Sequence, residues 1–161
     1  MTISPNDYAN DEDSTLIQLI KAQKWTEARP YFASQAHLSD AFDNLPLHAA
    51  IGFGAPSEFC LDLLRQHPRA ARQHGTDDWL PLHIAAMWGR TDTVVVEALI
   101  RAYPQALDDR GAGGIKGKTP RHFAKSRNPE YQHLLERSTE EWMQIIANDG
   151  HGNVGQSEDA E

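Results

Sequence analysis

A ten-residue stretch, Leu80-Pro81-Leu82-His83-Ile84-Ala85-Ala86-Met87-Trp88-Gly89, constrains this chain more than any other feature. It returns upstream as Leu45-Pro46-Leu47-His48-Ala49-Ala50-Ile51 and downstream as Thr119-Pro120-Arg121-His122-Phe123-Ala124-Lys125. The copies start at residues 45, 80 and 119, so the intervals are 35 and 39 residues. A short unit recurring at such an interval cannot bury its apolar face alone and is completed by stacking on its neighbours.

Each position has a physical role. Proline fixes φ and suits the first helical turn, where its missing N–H is not needed. Leucine and the alanines make the buried stripe of a short helix, and alanine lets a neighbouring helix come close. Gly89 suits a helix end in the left-handed conformation. A second helix is predicted from Thr91-Asp92, with Val95, Ala98, Leu99 and Ala102 at helical spacing and Tyr103-Pro104 as its stop. Val94-Val95-Val96 alone favours a strand, but the preceding cap and the stripe through Ala102 argue for helix.

The motif resembles the ankyrin repeat, whose hallmark is Thr-Pro-Leu-His-x-Ala; the second copy departs from it only by Leu80 for Thr. The resemblance covers roughly residues 13–137. It implies an all-α fold, a solenoid of stacked antiparallel helix pairs with projecting loops, or fingers. The units are read at about 13–39, 40–74, 75–107 and 117–148, with a long glycine-rich finger at 108–118. The first unit is degenerate: Thr15 to Ile20 keeps the register 30 residues before Leu45 but lacks Pro and His. Its second helix would turn Trp25, Ala28 and Phe32 inward, with Pro30 interrupting it. The fourth also departs: Arg121 replaces the inward Leu, and Asn128 stands where glycine is usual, as a residue tolerant of the left-handed turn. Such polar changes suit a cap. Ser138-Thr139-Glu140-Glu141 can be read as a capping box. Because Trp142, Ile145 and Ile146 continue the stripe of Tyr131, Leu134 and Leu135, one bent or extended helix to about Asn148 is the favoured reading. Residues 1–12 read as a flexible arm and 149–161 as a disordered acidic tail.

Composition narrows the function. A length of 161 residues suffices for one domain with a real core, and a net charge of −8 argues against nucleic-acid phosphate as the main partner. The single cysteine, Cys60, cannot form an internal disulfide and lies on an apolar helical stripe with Leu63 and Leu64; a buried structural thiol is expected. No apolar run is long enough for membrane insertion, and the polar first residues do not look like a targeting segment. The chain therefore reads as intracellular and cytoplasmic.

No catalytic set, metal site or cofactor is expected. The histidines His48, His83 and His122 fall in different layers, and stacked helices sit about 8–10 Å apart, too far for one zinc ion with ~2 Å bonds. The resemblance gives these histidines a structural role, bracing a neighbouring loop. Gly111 to Thr119 looks like a phosphate loop, but the leading glycine is due at position 112, which is Ala112.

The resemblance also implies a binding surface: the finger tips and the exposed ends of the first helices. Carried over residue by residue, it comprises Phe42, Asn44 and Phe53 in the second unit and Asp77, Trp79, Met87 and Trp88 in the third. In the fourth it comprises Ile115, Lys116, Lys118 and Arg127; the first offers only Ala22 and Gln23. Phe42, Phe53, Trp79 and Trp88 would grip an apolar segment of a protein partner, and Lys116, Lys118 and Arg127 would meet acidic groups beside it. The competing reading is that these aromatics tuck between fingers. Three functions stay open: a monomeric adaptor or scaffold binding a partner polypeptide, a permanent subunit of a hetero-complex, and a nucleotide-binding enzyme.

Overall fold

The computed structural model describes residues 12–112 and 117–151. Ten α-helices run in order among them: α1 (Thr15–Lys21), α2 (Trp25–Ala28), α3 (Phe32–Gln35), α4 (Pro46–Gly52), α5 (Ser57–Gln66), α6 (Pro81–Trp88), α7 (Thr93–Ala102), α8 (Pro120–Arg127), α9 (Gln132–Leu135) and α10 (Thr139–His151). No strand occurs among the described residues. The helices α1, α4, α6 and α8 pack in succession as one row, and α3, α5, α7 and α10 as a second.

The motif prolines Pro46, Pro81 and Pro120 each open a helix, behind an extended cap residue. Leu45, Leu47, Ala50 and Ile51 are buried against their counterparts Leu80, Leu82, Ala85 and Ala86 in a core that runs the length of the stack. The valine run is helical, with Val95, Val96, Leu99 and Ile100 buried. Burial of this stripe outweighs the local strand preference. Cys60 is buried, its Sγ is 3.9 Å from the Ala55 carbonyl, and desolvation pushes its thiol up to about 12. At neutral pH it is therefore an unreactive thiol.

Gly89 takes φ 62°, and a Cβ there would also stand 2.0 Å from Asn128 Oδ1. Both facts require glycine. Asn128 itself corrects the sequence reading: its φ is −135°, not left-handed. Its amide donates to the Ala86 carbonyl at 2.7 Å, tying α8 to α6. Tyr131 does the same for the second row, its hydroxyl donating to the Thr91 carbonyl.

The two ends depart from the regular pairs. Pro30 splits the second helix of the first pair into α2, a 3₁₀ turn at Arg29–Tyr31 and α3. Phe32 and Trp25 nonetheless reach Phe59, with ring centroids 4.9 and 5.2 Å away. At the other end the favoured continuous helix is not what forms. Chain direction changes after α9, and α10 is a separate helix with its own reciprocal capping box: Ser138 N donates to Glu141 Oε2 at 2.7 Å and Glu141 N to Ser138 Oγ at 3.1 Å. Arg121 explains the break. It occupies the inward Leu position of the motif, and its guanidinium donates to the Leu135 and Arg137 carbonyls, satisfying the end of α9. The helix continues through His151, beyond the expected boundary at Asn148; residues 1–11 and 152–161 of the expected arm and tail lie outside the described residues.

Candidate functional site

The fingers are fastened to one another at their bases. Asp40 accepts from the backbone N–H of Phe42 and of Asn44, both at 2.9 Å, and so closes the first turn. Asn44 Oδ1 accepts from Thr76 N at 3.0 Å and its amide donates to Thr76 Oγ1 at 2.7 Å. The next finger is linked in turn, Ala112 N donating to the Asp77 carbonyl at 3.1 Å and His74 pairing with Asp109 at 2.9 Å. At the base of the long finger a Cβ on Gly117 would lie 2.1 Å from the Arg110 carbonyl, so only glycine lets the two sides close.

The motif histidines hold these fingers onto the helices. His48 Nδ1 accepts from Leu45 N at 3.1 Å, which makes Nε2 the protonated nitrogen, 2.9 Å from the Gln73 carbonyl. His83 repeats the arrangement with Leu80 N at 3.0 Å and the Asp109 carbonyl at 2.9 Å. The expected third brace does not form. His122 is exposed, and its backbone N–H is 3.4 Å from Thr119 Oγ1, the hydroxyl that Leu45 and Leu80 lack. The braced carbonyls lie 25 and 26 residues downstream of their histidines; the corresponding residues beyond His122 belong to α10, not to a finger.

Burial pushes His48 down to about 4, against the opposing pull of its Gln73 hydrogen bond, and it lowers His83 by the same desolvation. The folded chain therefore holds neutral rings, and an unfolded histidine titrates near 6.5. Stability from this source is complete above about pH 6.5 and is lost as pH falls toward 4, because the unfolded chain takes up the proton first. For His48 the loss amounts to about 3 kcal/mol across that window. Urea midpoints measured from pH 7 downward should fall steadily through it; a flat profile contradicts the neutral-ring assignment.

A groove of about 290 Å³ opens at the seam between the α4/α5 and α6/α7 pairs. Counterparts 35 residues apart face it from both sides: Ala49 and Ile84, Phe53 and Trp88, Asn44 and Trp79. Gly52 deepens it, since a Cβ there would meet only Ile84 Cγ2 within 4 Å, at 3.7 Å. Its finger end is lined by Asp40, Thr76 and Asp77, with Lys21 from α1. Lys21 Nζ lies 2.8 Å from Asp13 and 3.6 Å from Asp40.

Of the residues expected at the surface, Asn44, Phe53, Asp77, Trp79 and Trp88 meet in this groove. Trp88 is 51% exposed, with the Arg90 guanidinium 5.9 Å from its ring, and Phe42 is 66% exposed on its finger. Trp79 is half-buried as a wedge between fingers, stacked on His83 at 6.4 Å and edge-on to Phe123 at 5.4 Å. Met87 is half-buried against the core, whereas Lys118 and Arg127 are exposed. Ile115 and Lys116 lie outside the described residues. Lys21, Asp40, Ala49, Gly52, Thr76 and Ile84 are additional groove residues. A register taken from the Ser14 cap, whose hydroxyl accepts from Ile17 N, pairs Lys21 with Gly52 and points to the former.

Among the described residues no group of three or more His, Cys, Asp or Glu is placed to hold a metal ion, and no helix is long and apolar enough to cross a membrane. The described residues before Thr119 include a 3₁₀ turn at Pro104–Asp108 rather than the strand a phosphate loop follows. Residues 77–109 match the family model of the ankyrin repeat. No curated protein matches the chain significantly.

Proposed function

The chain is an ankyrin-repeat protein, and from that premise we propose that it is a non-catalytic adaptor that binds a partner polypeptide along the concave face formed by its fingers and first helices. The observation that carries this is the apolar groove walled by Phe53 and Trp88, with half of the Trp88 surface still exposed. Its volume is at the lower edge of the ~300–1,000 Å³ usual for small-molecule pockets, and it is open along the seam, which suits one or two side chains of a bound segment. Phe42 extends this surface from its finger. Lys116, Lys118 and Arg127 belong to the same reading as the place where acidic groups of the partner would lie. The binding domain comprises units at about 13–39, 40–74, 75–107 and 117–148, and a cytoplasmic setting fits its single buried cysteine.

Trp88→Ala and Gly52→Leu are the informative variants, because the first removes an exposed side chain and the second fills the groove. Trp79→Ala is not a clean probe, given the packing of Trp79 on His83 and Phe123. Proteins that co-purify with the wild-type chain should be lost with both variants while the helical circular dichroism is unchanged. Retention of every one of them would place binding elsewhere. A second reading, a permanent subunit of a larger complex, draws on exposed Val94 and Met143, at 49% and 51%, outside the groove. Size-exclusion separates the two: an adaptor elutes as a monomer, and an orphaned subunit self-associates.

A further inference from the structure

We propose that the segment seated in the groove is cationic: an apolar side chain between Phe53, Trp79 and Trp88, with lysine or arginine beside it over the finger tips. This rests on the groove being the docking surface and adds the charge of what docks there; the acidic groups assigned to Lys116, Lys118 and Arg127 belong beside the fourth unit, and neither Lys118 nor Arg127 lines the groove. Asp43, Asp77 and Asp78 stand exposed on the two fingers, and Asp77 lines the groove itself. None of the three pairs with a cation among the described residues. Lys21, the cation lining the finger end of the groove, already faces Asp13 and Asp40; Arg90 lies at the other end, over Trp88 and bonded to the Gly52 carbonyl. Among the described residues the finger end therefore carries negative charge with no cation paired to it, directly beside an apolar surface. Low-dielectric walls concentrate that field, and it acts over about 8 Å at physiological salt, far enough to reach residues flanking a buried side chain.

The chain's own ends do not supply this chemistry. Residues 1–11 carry Asp7 and Asp11, residues 152–161 carry Glu158, Asp159 and Glu161, and neither stretch contains lysine or arginine. A second copy would bring the same net charge of −8. A separate, basic-apolar polypeptide is the occupant that matches both the shape and the charge.

The test is selection of phage-displayed random heptapeptides on the full chain at low salt, followed by affinity measurements on synthetic versions. The expected peptides place lysine or arginine next to a large apolar residue. Changing those lysines to glutamate should weaken binding by about ten-fold or more, and salt should do likewise. Asp77→Asn with Asp78→Asn should erase most of that preference; asparagine tolerates the positive φ of 56° and 59° at these positions. Gly52→Leu should abolish binding, with Trp88→Ala as the second groove variant should the first disturb the fold. Selected peptides with acidic or neutral flanks, or an affinity indifferent to the two Asp→Asn changes, overturn the charge assignment and leave the groove reading standing. Peptides that bind both groove variants as well as wild type, or no enrichment at all, overturn the groove reading and this inference together. A gain in affinity on deleting residues 2–11 would make the chain's own arm the occupant and overturn the proposal.

Discussion

Trp142→Ala is expected to cost about 4 kcal/mol and to loosen the end of the stack before the rest. The ring is 1% exposed and its Nε1 donates to the Leu134 carbonyl at 2.9 Å. Two guanidinium groups, Arg137 and Arg101, lie 5.4 and 5.7 Å from it. Truncation therefore leaves a cavity, an unpaired buried carbonyl and two cations without their aromatic face. It also frees α10, which covers α7 and the 3₁₀ turn Pro104–Asp108. Loss of a terminal cap exposes the apolar face of the last unit, and stability in a stacked array depends on each interface with the next. Hydrogen exchange should accelerate first in residues 93–108 and 132–135, which α10 and Trp142 cover, with residues 45–66 still protected. Uniform acceleration along the chain would show that α10 is not a separable cap.

Replacing the three motif histidines by alanine, one at a time, should give unequal results. His48→Ala and His83→Ala are each expected to lose about 3 kcal/mol, because each strands a buried N–H and a finger carbonyl and opens a void. His122→Ala should stay within about 0.5 kcal/mol. Urea unfolding of the three variants decides it: equal losses would mean that His122 braces a finger after all. The same comparison bears on the groove, since His48 lines it and His83 carries Trp79 on its ring face. Release of either finger should therefore weaken partner binding as well as stability.

Much of the candidate surface was legible in residues 44, 53, 77, 79 and 88, because counterparts in successive units come to one seam whenever the units stack. Their division of labour was not. Trp79 and Trp88 look equivalent in a sequence, yet one wedges two fingers together and the other remains half in water. Gly52 gave no sign that its missing side chain would open a groove, since the space it leaves is set by Ile84 on another helix. The position of the acidic finger tips beside an apolar seam emerges only when two fingers are held in register by Asn44 and Thr76.

The sequence by itself determined the helical pairs. Proline at the first turn, an alanine-leucine stripe and Gly89 at the helix end are local requirements, met within a few residues of each other. Tertiary structure decided what each repeated letter does. His48 and His83 became buried neutral braces because a finger follows each of them, and His122, with α10 in that place, stayed in solvent. Asn128 became a tie to the Ala86 carbonyl, not a left-handed turn, and Arg121 a cap on the end of α9. In a stacked array a motif specifies its own fold through short-range sterics and burial, whereas its role depends on which neighbour lies across the interface, and that partner is tens of residues away in the chain.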